Sequence, residues 1–422
     1  MLNKKIKMSD KKIGILILGT FTAQLITIAV TPILSRIYTP EDFGVFAIIF
    51  SISGILSTFI GGRYEVAIVQ PRKISKSLNL ALISSIGMIL STIFLIIIYL
   101  FFEENILKLT KFENSFLLYS PLIALFIGLF NILNMLNTKL ENYKSIAIAK
   151  ILKSITQNFL PIILACFSVN SINLLIGYFG GFFATYFTLM KKEFLQRLFS
   201  NHVSVKNLFS VLKEYKNFPL LSAPASLVNT ISQQLPFIFI YYIGGEAING
   251  FYFLASRIIS IPVTLIGVSF GQVFYKEVTS RLNDKTPLMP LLIDSIKKLL
   301  IIAIPFFLLI FLLSPYFFPI LFGQDWVDSG KIAQYLGFIF VIKFVVSTTS
   351  HVLSIKEYLF RGSIWKYLYF STSIILYYFA YLYQIEFYNF LALLVIHEYL
   401  LYSIYFYLIL ISVKENDKKL IV

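Results

Sequence analysis

Apolar residues run through this chain in twelve long stretches, each interrupted by a short polar gap. A helix crossing the hydrocarbon core of a bilayer needs about 20 apolar residues, and these runs are about 17–26 long. The pattern predicts spans near 13–36, 43–66, 78–101, 116–137, 146–168, 171–190, 218–243, 250–275, 299–322, 331–353, 365–383 and 387–412. Within them the apolar residues are continuous, as in 89–102 and 299–313, whereas a transmembrane barrel alternates apolar and polar positions. The predicted fold class is an all-α integral membrane protein with about 12 transmembrane helices. Composition agrees, with 58% hydrophobic residues, 14% charged residues and a mean hydropathy of +0.80.

The polar gaps carry an orientation. Alternate gaps, with the turns bordering them, hold 30 of the 36 Lys and Arg residues. The other gaps hold only Arg36, Lys108, Lys111 and Lys331, among nine acidic residues. By the positive-inside rule both termini are expected in the cytoplasm, and a missed span would have scrambled the alternation. The net charge of +15 is thereby a topology signal, with some attraction to anionic lipid, rather than a nucleic-acid footprint. The basic-then-apolar start resembles a signal peptide. Its apolar run is too long for one and lacks a small-x-small cleavage site, so it reads as a retained first span. The single cysteine, Cys166, excludes an intramolecular disulfide and a cysteine-based metal cluster.

The hydrophilic stretch 191–217 divides the chain into two expected six-helix lobes, 1–190 and 218–422. The stretch itself has apolar residues at helical spacing with Lys or Arg between them, which predicts a cytoplasmic amphipathic linker. Each lobe starts alike. Pro32 near the end of the first span corresponds to Pro236 near the end of the seventh, and Gly44 and Phe46 to Gly250 and Tyr252. An even number of spans per lobe gives both the same orientation, a parallel repeat with a substrate site expected between the lobes.

No motif for enzyme chemistry is present: the three histidines form no HExxH, and there is no GxSxG or phosphate-binding loop. The chain is therefore expected not to be an enzyme. What remains is polar chemistry inside the membrane, where a mid-helix charge costs about 2.5–3.5 kcal/mol and needs a reason. Arg257 lies about two turns into its span, Lys343 near the middle of the tenth and Glu398 at the middle of the twelfth. Lys150 and Lys153 occupy the inner turns of the fifth span, Arg63 and Glu65 the inner end of the second, and Arg36 the outer end of the first. Snorkelling to the interface competes with a cavity role for Arg36, Lys150 and Lys153, and a local ion pair competes for Arg63 and Glu65. Thr20, Gln24, Thr27 and Thr31 share one face of the first span, and Ser226, Asn229 and Gln233 one face of the seventh. These faces fit either a polar cavity or hydrogen bonding between helices.

Residues 31–71 contain the runs P-x-L-S-R-x-Y-x-P-E-D-F-G, from Pro32 to Gly44, and R-Y-E-x-A-I, from Arg63 to Ile68. They resemble the opening of the Wzx-type polysaccharide and O-antigen flippases of the multidrug/oligosaccharidyl-lipid/polysaccharide exporter superfamily. Residues 250–277, with Arg257 and Pro262, resemble the opening of that family's second half. The resemblance implies a flippase that carries undecaprenyl-diphosphate-linked oligosaccharide across the bacterial cytoplasmic membrane by alternating access, through a cationic cavity between two lobes. It makes Arg257, Lys343, Arg63, Arg36, Lys153, Gln24, Asn229 and Gln233 candidates for substrate contact, and Glu398 and Glu65 candidates for a coupling ion, proton or sodium. No other cofactor or metal is implied. The implied partners are the lipid-linked oligosaccharide, membrane lipid and other polysaccharide assembly proteins, with no nucleic acid, and a monomer is expected. The competing expectation is a cation-coupled exporter of small organic molecules from the same superfamily.

Overall fold

The computed structural model describes residues 2–110, 115–190, 205–355 and 358–421. Residues 191–204 of the expected linker, and Lys111, lie outside the described residues. The chain forms two compact units, Met1–Tyr242 and Ile243–Val422. In the first are α1 (Leu2–Ile37), α2 (Pro40–Phe59), α3 (Tyr64–Ala67), α4 (Ile74–Thr110), α5 (Tyr119–Lys139), α6 (Tyr143–Ala165), α7 (Ser171–Leu189), α8 (Val205–Glu214) and the first part of α9 (Ala223–Pro262). In the second are the rest of α9, α10 (Val268–Asn283), α11 (Met289–Phe322), α12 (Val327–Thr349), α13 (Leu359–Leu382) and α14 (Phe387–Ile421).

Ten helical stretches among the described residues are long and apolar enough to cross a membrane, and the protein is a multi-pass membrane protein. One of these stretches, Phe218–Gly267, contains the seventh expected span and most of the eighth. It is broken at Gly245, whose φ of 77° and ψ of −169° no helix contains. The eleventh expected span is α13, helical over 24 residues but outside those ten stretches because its tyrosines, serines, threonine and Lys366 lower its mean hydropathy.

The turn between α1 and α2 explains one of the sequence runs. Thr39 caps α2 by accepting from the Asp42 backbone N–H, Asp42 reaches back to the Thr39 N–H, and Pro40 fills the first helical position. Tyr38 donates its hydroxyl to the Pro161 carbonyl at 2.8 Å, which ties this turn to α6. Small residues then bring helices together. A Cβ on Gly19 would collide with Ala147, and one on Gly177 with the Pro161 ring, so α1 and α7 both lie close on α6.

The second expected span ends early. α2 stops at Phe59, and Gly62 (φ 56°) and Arg63 (φ 61°) reverse the chain into the short α3, which packs against α4 and α5. Two consecutive left-handed residues cannot continue a helix, so Arg63 lies in the turn after the span and Glu65 in α3, rather than at the inner end of the span. On the same side of this unit, α8 buries Val211 among Ile60, Ala67, Ile68 and Leu78, and Glu214 pairs with Lys76 at 2.7 Å. In the second unit the Asp417 carboxylate accepts the backbone N–H groups of Leu288 and Met289, at 2.7 and 2.9 Å, at the start of α11. Arg361 adds an ion pair in which Nη2 donates to both carboxylate oxygens of Glu415, at 2.7 and 2.9 Å, while Nη1 donates to Ser412.

Candidate functional site

The polar face of α1 is used for packing in the first unit. Thr20 accepts from the Lys150 ammonium at 2.9 Å, and Thr27 Oγ1 lies 2.9 Å from Ser154 Oγ. Asn158 donates to Thr27 at 3.2 Å, and Ser154 donates to the Ala23 carbonyl. Lys150, Ser154 and Asn158 recur every fourth residue, so α6 presents one polar stripe to α1. For Thr20 and Thr27 the interhelical reading therefore holds over the cavity reading. Gln24 is half-buried, Asn229 is half-buried and Gln233 is exposed, while neighbouring Thr230 lies 3.3 Å from Thr58 of α2.

One turn from Lys150, Lys153 meets α5 and α7 instead of α1. Its ammonium stands 3.6 Å from the centroid of Phe182, with Phe130 and Tyr178 at 5.5 and 5.7 Å. Three aromatic faces surround the charge, and among the described residues no acidic side chain pairs with it.

At the turn after α2, Arg63 Nη1 is 3.7 Å from Glu65 Oε1. Glu65 is only 4% exposed, and its Oε2 has no hydrogen-bond partner. Burial pushes this carboxyl above its ordinary value, against the opposing pull of its own backbone amide, Arg63 and Ser84. The local ion pair considered for these two residues is thus formed. Arg36 is exposed in the last turn of α1, where a long cation reaches an interface without cost.

The second unit gathers its polar groups around Glu398 of α14, 4% exposed. Tyr369 of α13 donates its hydroxyl to Glu398 Oε1, while Oε2 has no hydrogen-bond partner. Lys343 of α12 lies against the Tyr402 hydroxyl, one turn along α14, with its ammonium 5.6 Å from that ring and 5.7 Å from Phe340. Tyr252 and Tyr377, both buried, lie within electrostatic range of the carboxylate. His397 Nε2 lies 3.0 Å from Thr372 Oγ1. Trp365 stacks on Tyr405 at 4.0 Å beside Tyr369. The structure thus brings Lys343 and Glu398 into one tyrosine-lined cluster. Arg257 is half-buried on α9 with its guanidinium 6.0 Å from the Phe253 ring.

The tyrosines and the Ser154–Asn158 stripe were not singled out from the sequence. Tyr402 sits four residues after Glu398, and Tyr369 and Tyr377 sit eight apart on α13, so helical spacing held the signal. It was hidden because 26 tyrosines are spread through the chain, and tyrosine is enriched at membrane interfaces whatever the function.

Comparison with known proteins places this geometry. The fold is similar to the inward-facing conformation of a multidrug resistance MATE family transporter of the MOP superfamily, with a TM-score of 0.71 at 16% identity, covering 97% of this chain and 99% of that one. It is similar also to the inward closed conformation of the lipid II flippase MurJ, with a TM-score of 0.64 at 16% identity, covering 92% and 97%. A segment of 146 residues is 23% identical to the teichuronic acid biosynthesis protein TuaB of Bacillus subtilis (strain 168); it spans 34% of this chain and 30% of the relative. A family model described as polysaccharide biosynthesis protein matches residues 33–331, from the last turn of α1 into α12. The chain belongs to the polysaccharide biosynthesis protein family.

Proposed function

We propose that this protein is a flippase that moves an undecaprenyl-diphosphate-linked oligosaccharide from the inner to the outer leaflet of the bacterial cytoplasmic membrane by alternating access. The observation that carries the reading is the charge imbalance inside the spans. Lys150, Lys153, Arg257 and Lys343 lie within apolar helices, where Glu398 is the acidic counterpart. Cations kept in hydrocarbon at this cost suit a substrate that brings its own anion. A diphosphate does so, and a guanidinium meets phosphate oxygens in bidentate geometry. Membership of a polysaccharide biosynthesis family supports a saccharide cargo, and likeness to a lipid II flippase supports a lipid-linked one. The positive-inside asymmetry supports cytoplasmic termini. Cation-coupled export of small organic molecules is the weaker reading, because binding a coupling cation calls for carboxylates within the spans, where basic residues outnumber them.

The test is Arg257→Ala, read as surface polysaccharide beside quantitative immunoblotting of membranes. Loss of display at near-normal protein level is expected, and Arg257→Lys retains part of the function because charge survives while the fork geometry does not. Normal display by Arg257→Ala would remove Arg257 from substrate contact.

A further inference from the structure

The eighth expected span is not a regular helix. After the break at Gly245 the chain runs helically to Asn283, but the middle of that run, Val263–Gly267, is a single π-helical turn between α9 and α10. Pro262 stands immediately before it and has no N–H to give the Ile258 carbonyl. One turn earlier the Arg257 carbonyl accepts from the Ser260 hydroxyl at 2.9 Å. The regular backbone ladder is thus disturbed over successive turns. A π-turn takes one extra residue into the ladder, and such wide turns are among the few places where a helix bends sharply.

The two arms that meet at this turn are seated on opposite ends of one helix. α12 has 23 residues without an internal proline, a rod about 34 Å long. Before the turn, Phe251 packs edge-on against Trp326 at 6.0 Å, where α12 begins. After the turn, a Cβ on Gly267 would stand 3.3 Å from Thr348 Oγ1, and one on Gly271 only 2.7 Å from His351 Nε2. These two glycines, four residues apart on one face, let α10 lie close along the end of α12. Phe274 and Val278 of α10 continue into the core around Val346, Val352 and Trp365. The arm before the turn, residues 246–261, carries Arg257 five positions ahead of the proline.

We propose that the wide turn 262–267 is a hinge, at which the arm 246–261 pivots against α12 while α10 stays seated on it. The pivot falls where the backbone ladder is irregular, and the glycine contacts leave α10 no slack to follow. A change of about 20° displaces Ala247, fifteen residues before Pro262 and about 22 Å away, by about 8 Å. The backbone at Arg257, nearer the pivot, moves by about 2–3 Å, enough to make or break a hydrogen bond. The hinge rests on the alternating-access reading, and it requires no particular contact between Arg257 and the cargo.

The experiment is pulsed electron–electron resonance on the full chain in lipid vesicles, with nitroxide pairs in a Cys166→Ser background. Ala247→Cys with Tyr316→Cys reports the arm against α11, and Val273→Cys with Ile293→Cys reports α10 against α11. The first pair is expected to show two distances separated by about 8 Å, and the second pair one. Undecaprenyl diphosphate, as the probe, changes the weights of the two. A variant lacking Ile266 closes the wide turn into a regular ladder. It is expected to show one distance for the first pair, an unchanged second pair, and loss of surface polysaccharide at normal membrane level. Pro262→Ala moves the weights part of the way. A single first-pair distance with and without the probe, two distances in the variant lacking Ile266, or normal display by that variant would each overturn the hinge. If that variant fails to reach the membrane, the otherwise native chain and Pro262→Ala decide by themselves. Two distances in a protein that supports no display would leave the hinge standing and count against the flippase reading. A single distance beside normal display would count against the hinge alone.

Discussion

Lys153 separates packing from function because its energetics can be worked from the cage around it. A charge in the middle of a spanning helix costs about 2.5–3.5 kcal/mol, and a desolvated cation–π contact returns about 2. With Phe182 at 3.6 Å as the main contact, and two more distant rings adding little, the lysine is left net unfavourable by about 1 kcal/mol. Methionine has nearly the same reach, and its sulfur gains about 0.3–1.5 kcal/mol against aromatic rings. Lys153→Met is therefore expected to be neutral to stabilising by about 1–2 kcal/mol. Phe182→Leu, which keeps the charge and removes the nearest ring, should lose about 2 kcal/mol. If the charge is retained for substrate, Lys153→Met gives a membrane protein at normal level that no longer displays polysaccharide. The assays are thermal unfolding of the purified protein and quantitative membrane immunoblotting, read beside surface display. A clear loss of stability in Lys153→Met would refute the energy balance, and normal display would refute a functional charge.

Two further outcomes test the local structure. At Arg63, with φ of 61°, Arg63→Gly should relieve about 1–2 kcal/mol of left-handed strain, partly offset by loss of the Glu65 contact, so membrane level stays near normal; Arg63→Val, β-branched, should drop sharply on the same immunoblot. Asp417→Ala removes two charge-assisted bonds at the start of α11 and should cost about 1–2 kcal/mol in thermal unfolding, with Asp417→Asn recovering part of it.

Hydropathy and charge order determined the membrane class, the number of helical segments and the expected orientation, because a bilayer forces each crossing segment to satisfy its own backbone and to be apolar along its length. That information is local, so it survives in one dimension. The runs that carried the family resemblance were legible too, though the fold gives one of them a structural meaning: Tyr38 to Asp42 caps α2 and ties the turn to Pro161. Only the tertiary structure decided what each polar face meets. Thr27 and Gln24 lie three apart on one helix, yet Thr27 is taken up by Ser154 and Asn158 from 127 and 131 residues away. Lys343 and Glu398, 55 positions apart in sequence, acquire a shared environment through Tyr402, Tyr369, Tyr252 and Tyr377 on three helices. In hydrocarbon a polar side chain takes whichever partner packing brings within reach, and that choice is made by helix neighbours, which periodicity along a single helix does not encode.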